Sequence, residues 1–101
     1  MIAAASASDA DRANTLSAIL AAMPGNDCAI QRQRILAAIS QLGSVTSFEA
    51  SRLLDCYYPP ARIFELRKDG HDIKTMMRAE QTESGRFHRV GVWMMDGAAN
   101  E

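Results

Sequence analysis

The chain has 101 residues, of which 48% are hydrophobic, and this length and composition suit a single domain with one core. Eleven lysines and arginines nearly balance twelve aspartates and glutamates, so the formal net charge is −1 and the sequence pI about 6.1. This balance argues against a protein that binds nucleic acid strongly and without selectivity, and it allows only a local basic patch.

Motifs for chemistry are absent from the sequence. Cys28 and Cys56 are too few for a disulfide framework and lack the spacing of metal ligands, which favours reduced thiols in the cytoplasm. There is no phosphate loop, nucleophile elbow or helical pair of histidines. No apolar run approaches the roughly 18 residues of a membrane span, and no signal peptide is apparent. We predict a cytoplasmic protein that is not an enzyme and has no cofactor or metal.

The N-terminal part predicts a tail followed by two helices. Residues 1–8 are small and aperiodic, which indicates a disordered tail. An accessory helix is predicted over 9–25, with Ser8 or Asp9 as its cap and an apolar stripe of Ala13, Leu16, Leu20 and Met23. A second helix begins after Asn26 or Asp27 and ends at Gly43. Its predicted solvent face consists of Gln31, Arg32, Gln33, Arg34 and Gln41.

Two shorter helices and a very short strand at Val45 are predicted next. Thr46 and Glu49 have the spacing of a capping box, which begins a helix that Pro59 cannot continue. A further helix then begins at Pro60 and ends at Gly70, where a left-handed residue closes it. We expect its buried side to consist of Ile63, Phe64 and Leu66.

The C-terminal part predicts a β-hairpin, because residues 71–79 and 87–95 alternate with a period of two around a polar turn. We expect an apolar surface on the side of the hairpin opposite the core, formed by Met76, Phe87, Trp93 and Met95. Residues 96–101 are predicted to be a disordered tail. The order of elements predicts an α+β winged helix-turn-helix over 28–95, with a three-helix core, a hairpin wing and an extra N-terminal helix.

Four segments resemble a family of small winged-helix domains that are common in bacteriophages and prophages. They are RQRIL at 32–36, VTSFEA at 45–50, RIFELRKDGHDI at 62–73 and SGRFHRV at 84–90. The resemblance covers about residues 30–95 and leaves the N-terminal helix outside. It implies a DNA-binding protein of a mobile element, either a transcriptional regulator or an excision-type recombination factor.

For double-stranded DNA, the side chains of the last helix and of the wing are the candidates. Arg62 is the predicted base-reading residue, because its planar guanidinium matches a guanine edge. The predicted DNA-binding set is Tyr58, Arg62, Arg67, Lys68, Arg86, His88 and Arg89. Two alternatives stay open: Arg62 pairs instead with Glu65 or Asp69, or the domain is a protein-interaction module, such as a phage inhibitor of a host defence complex.

A protein interface is predicted for the apolar residues that the core does not need. The stripe of the N-terminal helix can cover the outer face of the hairpin, either within the chain or in a second copy, which would make a homodimer. The predicted interface set is Leu16, Leu20, Met23, Met76, Phe87, Trp93 and Met95.

Overall fold

The computed structural model describes residues 9–95, so both predicted tails lie outside the described residues. The elements are α1 (Asp9–Ala22), α2 (Cys28–Leu42), β1 (Val45–Thr46), α3 (Ser47–Arg52), α4 (Pro59–Lys68), β2 (Ile73–Gln81) and β3 (Phe87–Met95). The strands form one antiparallel sheet in the order β1-β3-β2. The predicted α+β architecture, with a hairpin after the last helix and an additional helix at the start, is confirmed.

Helix ends follow the local signals in the sequence. The Asp27 side chain accepts the Ile30 N–H at 2.8 Å and caps α2, and Gly43 closes this helix in the left-handed region with φ of +86°. The capping box at the start of α3 is complete, since the Glu49 N–H donates to Thr46 and the Thr46 N–H donates to Glu49, both at 3.0 Å.

The end of α4 has the hydrogen bonds of a Schellman motif. Gly70 has φ of +104°, which is a conformation that other residues adopt at a cost. The N–H of the next residue, His71, donates to the Leu66 carbonyl at 3.0 Å. Ile73 follows as a buried residue and is the first of β2. This geometry links the last helix directly to the wing.

The helix α2 lies at the centre of the domain and contacts α1, α4, β1 and β3. Because it is surrounded, its predicted solvent face is wrong at two positions, Gln31 and Arg34, which are both buried. Arg34 is only 1% exposed, and its Nε donates to the Met23 carbonyl at 2.9 Å. Its Nη1 donates to the Leu54 carbonyl at 3.1 Å, and its Nη2 to that of Gly25. Three backbone carbonyls therefore satisfy a buried guanidinium.

The apolar stripe of α1 is also directed into the domain. Leu16 and Ile19 are buried members of the main core, and Met23 packs against the same core. These side chains meet the neighbouring helix α2, which α1 contacts. Leu16 is therefore buried within its own chain, as one of the two alternatives expected. It packs in the main core, however, and not on the outer face of the hairpin.

Two residues of the hairpin are not where the sequence predicted them. Trp93 is only 6% exposed and belongs to the core, and Met95 packs against that core. The prediction that they lie opposite the core is wrong. The reason is the strand register, because Trp93 lies between Val45 of β1 and Thr75 of β2 and so shares the face of the buried Val45.

The other two residues of that predicted surface are exposed, but they do not share a face. Met76 lies opposite Val92, whereas Phe87 lies on the alternate face at the outer end of β3. Val90 and Val92 are buried on the Met76 face, where α3 contacts β3. The middle strand thus carries buried side chains on both faces, and alternation alone does not identify the inner face.

Candidate nucleic-acid interface

The helices α3 and α4 form a helix-turn-helix through a short turn. Asp55 in this turn has φ of +52°, a left-handed conformation that aspartate tolerates better than most residues. The following Cys56 is fully buried, and its N–H donates to the Ala50 carbonyl at 3.0 Å. Burial raises the pKa of the Cys56 thiol, which therefore stays protonated. The turn is thus fixed by backbone geometry and a packed side chain.

The outer face of α4 is apolar near its middle. Pro59, Ile63 and Leu66 are buried, at spacings of four and three residues, and anchor the helix on the core. Phe64 is 61% exposed, so its predicted place on the buried side is wrong. The stripe that α4 buries is narrow, and Phe64 lies one helical step of about 100° beyond Ile63. The Lys68 ammonium lies 5.6 Å from the centre of the Phe64 ring, within cation–π range.

Arg62 is turned towards its own helix and α2. Its Nε and Nη2 donate to the two carboxylate oxygens of Glu65, each at 2.8 Å, and its Nη1 is 3.4 Å from the Gln31 side-chain oxygen. Arg32 donates to the same Glu65 carboxylate at 2.8 Å. Arg62 therefore pairs with Glu65, as one of the alternatives expected, and only 14% of the Arg62 side chain is exposed.

The protonation of this group follows from the same contacts. The hydrogen bond from Arg62 and then that from Arg32 hold the pKa of Glu65 below its ordinary value. The hydrogen bond to Glu65 likewise raises the pKa of Arg62. Glu65 therefore stays ionised at neutral pH, and its single negative charge is shared between Arg62 on α4 and Arg32 on α2.

Arg67 joins α4 to the wing. Its Nε donates to the Ile73 carbonyl at 2.9 Å and its Nη2 to the Thr75 hydroxyl at 2.8 Å. Two of the Arg67 donors are thus bonded to acceptors at the start of β2. The guanidinium has no carboxylate partner among residues 9–95. Arg67 is exposed, so its charge is available at the junction of helix and hairpin.

The remaining predicted DNA-binding residues are exposed on the wing and before α4. Arg86 lies in the turn of the hairpin, while His88 lies opposite Glu80 and Arg89 opposite Ala79. Because strand side chains alternate, His88 and Arg89 point to opposite faces of the wing. The structure does not bring these three onto one surface, and Arg89 is on the face that also carries Thr75 at its base.

Ion pairs divide the cations into two classes. Five arginines pair with carboxylates: Arg12 with Glu49, Arg32 and Arg62 with Glu65, Arg52 with Glu83, and Arg78 with Glu80. Within residues 9–95, the cations that contact no carboxylate and are exposed are Arg67, Lys68, Arg86 and Arg89. All four belong to the predicted DNA-binding set, although the exposed Asp69 and Asp72 lie near the first two.

The sequence-based prediction of the site included Tyr58 but missed two other exposed aromatic residues, Tyr57 and Phe64. Tyr57 is 95% exposed, and Tyr58 is also exposed, directly before α4. Tyr58 is at the N-cap position of α4, and its side chain makes no capping bond. The signal in the sequence is the place of the two tyrosines in the short connection before Pro59, because connecting segments run over the protein surface.

Within the described part of the chain, no cluster of three or more His, Cys, Asp or Glu side chains is arranged to hold a metal ion. No helix between residues 9 and 95 is long and apolar enough to cross a bilayer.

A helix-turn-helix followed directly by a two-stranded wing, with unpaired cations on both, defines a domain of the winged-helix class, a fold that suggests nucleic-acid binding in general. The sequence agrees with this classification, since residues 30–97 match the family described as "winged helix-turn-helix domain". The match covers more than half of the chain, and the protein belongs to this family. Domains of this kind are typically non-enzymatic. No curated protein and no solved structure matches the chain.

Proposed function

We propose that this protein is a phage- or prophage-type DNA-binding protein of the cytoplasm, acting as a transcriptional regulator or an excision-type recombination factor without enzymatic activity. In this proposal residues 28–95 form the DNA-binding domain and residues 9–25 an accessory helix. One observation carries it: among residues 9–95, the exposed cations that contact no carboxylate are Arg67 and Lys68 on α4 and Arg86 and Arg89 on the wing.

The near-neutral net charge does not oppose this function, because several of the acidic side chains pair with arginines other than these four cations. Phosphate contacts depend on local cations, and these lie on the two elements that a winged helix applies to a duplex. Arg67 and Lys68 would meet phosphates at the end of α4, and Arg86 and Arg89 would meet them along the wing. Tyr58 and His88 are candidates for further phosphate contacts.

A salt series tests this proposal. Affinity for a short mixed-sequence duplex should fall with salt, with a logarithmic slope of about −0.9 for each phosphate contact. Arg89→Ala should weaken binding and reduce that slope by about 0.9. Arg78→Ala is the matched control on the same hairpin, because Arg78 already pairs with Glu80 at 2.6 Å. Equal losses for the two variants, or no binding at low salt, would contradict the proposal.

The second candidate function is that of a protein-interaction module that does not bind DNA, such as a phage inhibitor of a host defence complex. The observation that favours it is the exposure of Tyr57, Tyr58 and Phe64 around the start of α4. Aromatic residues are enriched in the centres of protein interfaces. No affinity for any duplex at low salt, for a chain with an intact melting transition, would favour this function over DNA binding.

We also propose a homodimer that uses the exposed part of the predicted interface. Of that set, Met76 and Phe87 are exposed, whereas Leu16 and Trp93 are covered by the chain's own core. Sedimentation equilibrium over a range of concentrations tests this. A dimer that dissociates on Met76→Ser or Phe87→Ser supports the proposal, and a monomer at every concentration contradicts it.

A further inference from the structure

The first two turns of α4 are the part that a helix-turn-helix protein directs at base edges. The Arg62 and Glu65 side chains on this part of the helix are 14% and 34% exposed. The apolar side chains that reach solvent there are those of Pro60, Ala61 and Phe64, with Phe64 the most prominent. None of the three has a side-chain hydrogen-bond donor or acceptor. Hydrogen bonding to base edges, which is the usual means of direct recognition, is therefore unavailable to them.

The polar residues of the same turns are already engaged. Arg62 and Glu65 bind each other through two bonds of 2.8 Å, and Glu65 also accepts a bond from Arg32. The helix N-terminus offers little to replace them, because Pro59 and Pro60 have no N–H and the Ala61 N–H donates to the Tyr58 carbonyl at 3.2 Å. A base contact from this segment must therefore be apolar.

Only one group in the major groove is apolar, the C5-methyl of thymine. We propose that α4 recognises thymine methyl groups through Phe64, so that Phe64, and not Arg62, determines sequence preference. This inference rests on the proposed DNA binding and specifies how that site reads its ligand. Lys68 supports the arrangement, since its ammonium lies 5.6 Å from the centre of the Phe64 ring and can meet a phosphate beside the contacted base.

The test uses duplexes selected by the full-length protein from a randomised library. In the preferred duplex each thymine is replaced by deoxyuridine, which pairs identically but lacks the methyl group. Loss of one buried methyl contact should weaken binding about fourfold. Phe64→Ala should bind more weakly and respond equally to thymine and deoxyuridine. Because Phe64 is exposed, the melting temperature of the Phe64→Ala variant should match that of the wild type.

The matched control is Met77→Ala, which truncates an exposed apolar side chain on β2 of the wing, on the face opposite that of Met76. This variant should keep the wild-type preference for thymine over deoxyuridine. The inference is overturned if the wild type binds both duplexes equally, or if Phe64→Ala retains the preference. A protein that binds no duplex at low salt overturns the proposed function as well, and this outcome is distinct from binding without a response to the methyl group.

Discussion

The Arg62 guanidinium and the Glu65 carboxylate form a two-bond ion pair within α4, with Nε to Oε1 and Nη2 to Oε2 both 2.8 Å. They are three residues apart, a spacing at which helical side chains meet, and Arg32 of α2 adds a third charge to the group. The arginine best suited to read a guanine is consequently held along the helix and against α2. The first turns of α4 present an apolar surface instead.

Neutralising Glu65 should release this arginine. Glu65→Gln removes the negative charge and one of the two oxygens that accept three charge-assisted bonds, so Arg62 and Arg32 are held less strongly and gain freedom to reach a duplex. We expect affinity for mixed-sequence DNA to rise about threefold to tenfold at low salt, with a salt slope steeper by about 0.9 for each new phosphate contact. Fluorescence anisotropy across a salt series measures both quantities.

Asp69→Asn is the control for this experiment. It removes one negative charge from the end of the same helix, and Asp69 forms no ion pair within residues 9–95. It should raise affinity less and leave the slope unchanged, because it frees no cation. Equal slopes for the two variants would mean that Arg62 stays on the helix even without its carboxylate partner.

Removing the buried guanidinium of Arg34 should destabilise the whole domain. Arg34→Met keeps an apolar chain of similar length but leaves the carbonyls of Met23, Gly25 and Leu54 without their donors. The Leu54 carbonyl is buried and the other two are partly buried, so the unsatisfied acceptors should lower the free energy of unfolding by about 1–3 kcal/mol. Urea unfolding followed by circular dichroism measures the loss.

The exposed neighbour provides the comparison for Arg34. Gln33→Met makes a change of similar size on the outer side of α2 and should alter stability by no more than about 0.5 kcal/mol. A loss below about 1 kcal/mol for Arg34→Met would show that water replaces the guanidinium at those carbonyls.

The parts of this fold that could be predicted are those whose determinants are close in sequence. The capping box at Thr46 and Glu49 and the glycine ends at Gly43 and Gly70 act over three to five residues, so their residue types are sufficient. The position of Arg34 depends on Leu54, which lies 20 residues further along the chain. Helical periodicity does not reveal such a contact. An arginine on a polar stripe is therefore predicted to be solvent-exposed.

The candidate site divides in the same way. Arg67, Lys68, Arg86 and Arg89 could be named from their place on the last helix and the wing. Their lack of a carboxylate partner among residues 9–95 depends on which acidic side chains the fold brings near. Arg62 and Glu65 have a helical spacing that the sequence displays, but Arg32 joins them from 33 residues away. For Trp93, the decisive fact is its pairing with Val45, which is set by the return of β3 to a strand 48 residues earlier.

Truncation of two neighbouring residues of α4 should change stability by very different amounts. Ile63 is 1% exposed in the core, and Ile63→Ala should cost about 2–5 kcal/mol in unfolding free energy. Phe64→Ala removes a larger side chain from an exposed position and should change stability by about 0.5 kcal/mol or less. Thermal and urea unfolding of both variants check this. A large loss for Phe64→Ala would mean that its ring packs on the domain and is not free to meet a ligand.

Acid should weaken the attachment of α1 through one ion pair. The Arg12 Nε and Nη2 donate to Glu49 at 2.9 and 3.0 Å, and the same Nη2 donates to the Ser44 carbonyl at 3.1 Å. Burial raises the pKa of Glu49, but the bonds from Arg12 and from the Thr46 N–H outweigh it, and the net pKa lies below the ordinary value.

A carboxyl group whose pKa is lower in the folded state stabilises the fold fully above its unfolded pKa of about 4.3, and this contribution is lost as the pH falls through the folded value. The difference in unfolding free energy between the wild type and Glu49→Gln should therefore be largest at neutral pH and shrink below about pH 4. Arg12→Gln should also be less stable than the wild type at neutral pH and should lose less stability between pH 7 and pH 3, since it lacks the main partner of the carboxylate. Urea unfolding from pH 7 to pH 3 measures the three profiles. Parallel profiles for the wild type and Glu49→Gln over that range would contradict the assignment of this ion pair as the link between α1 and α3.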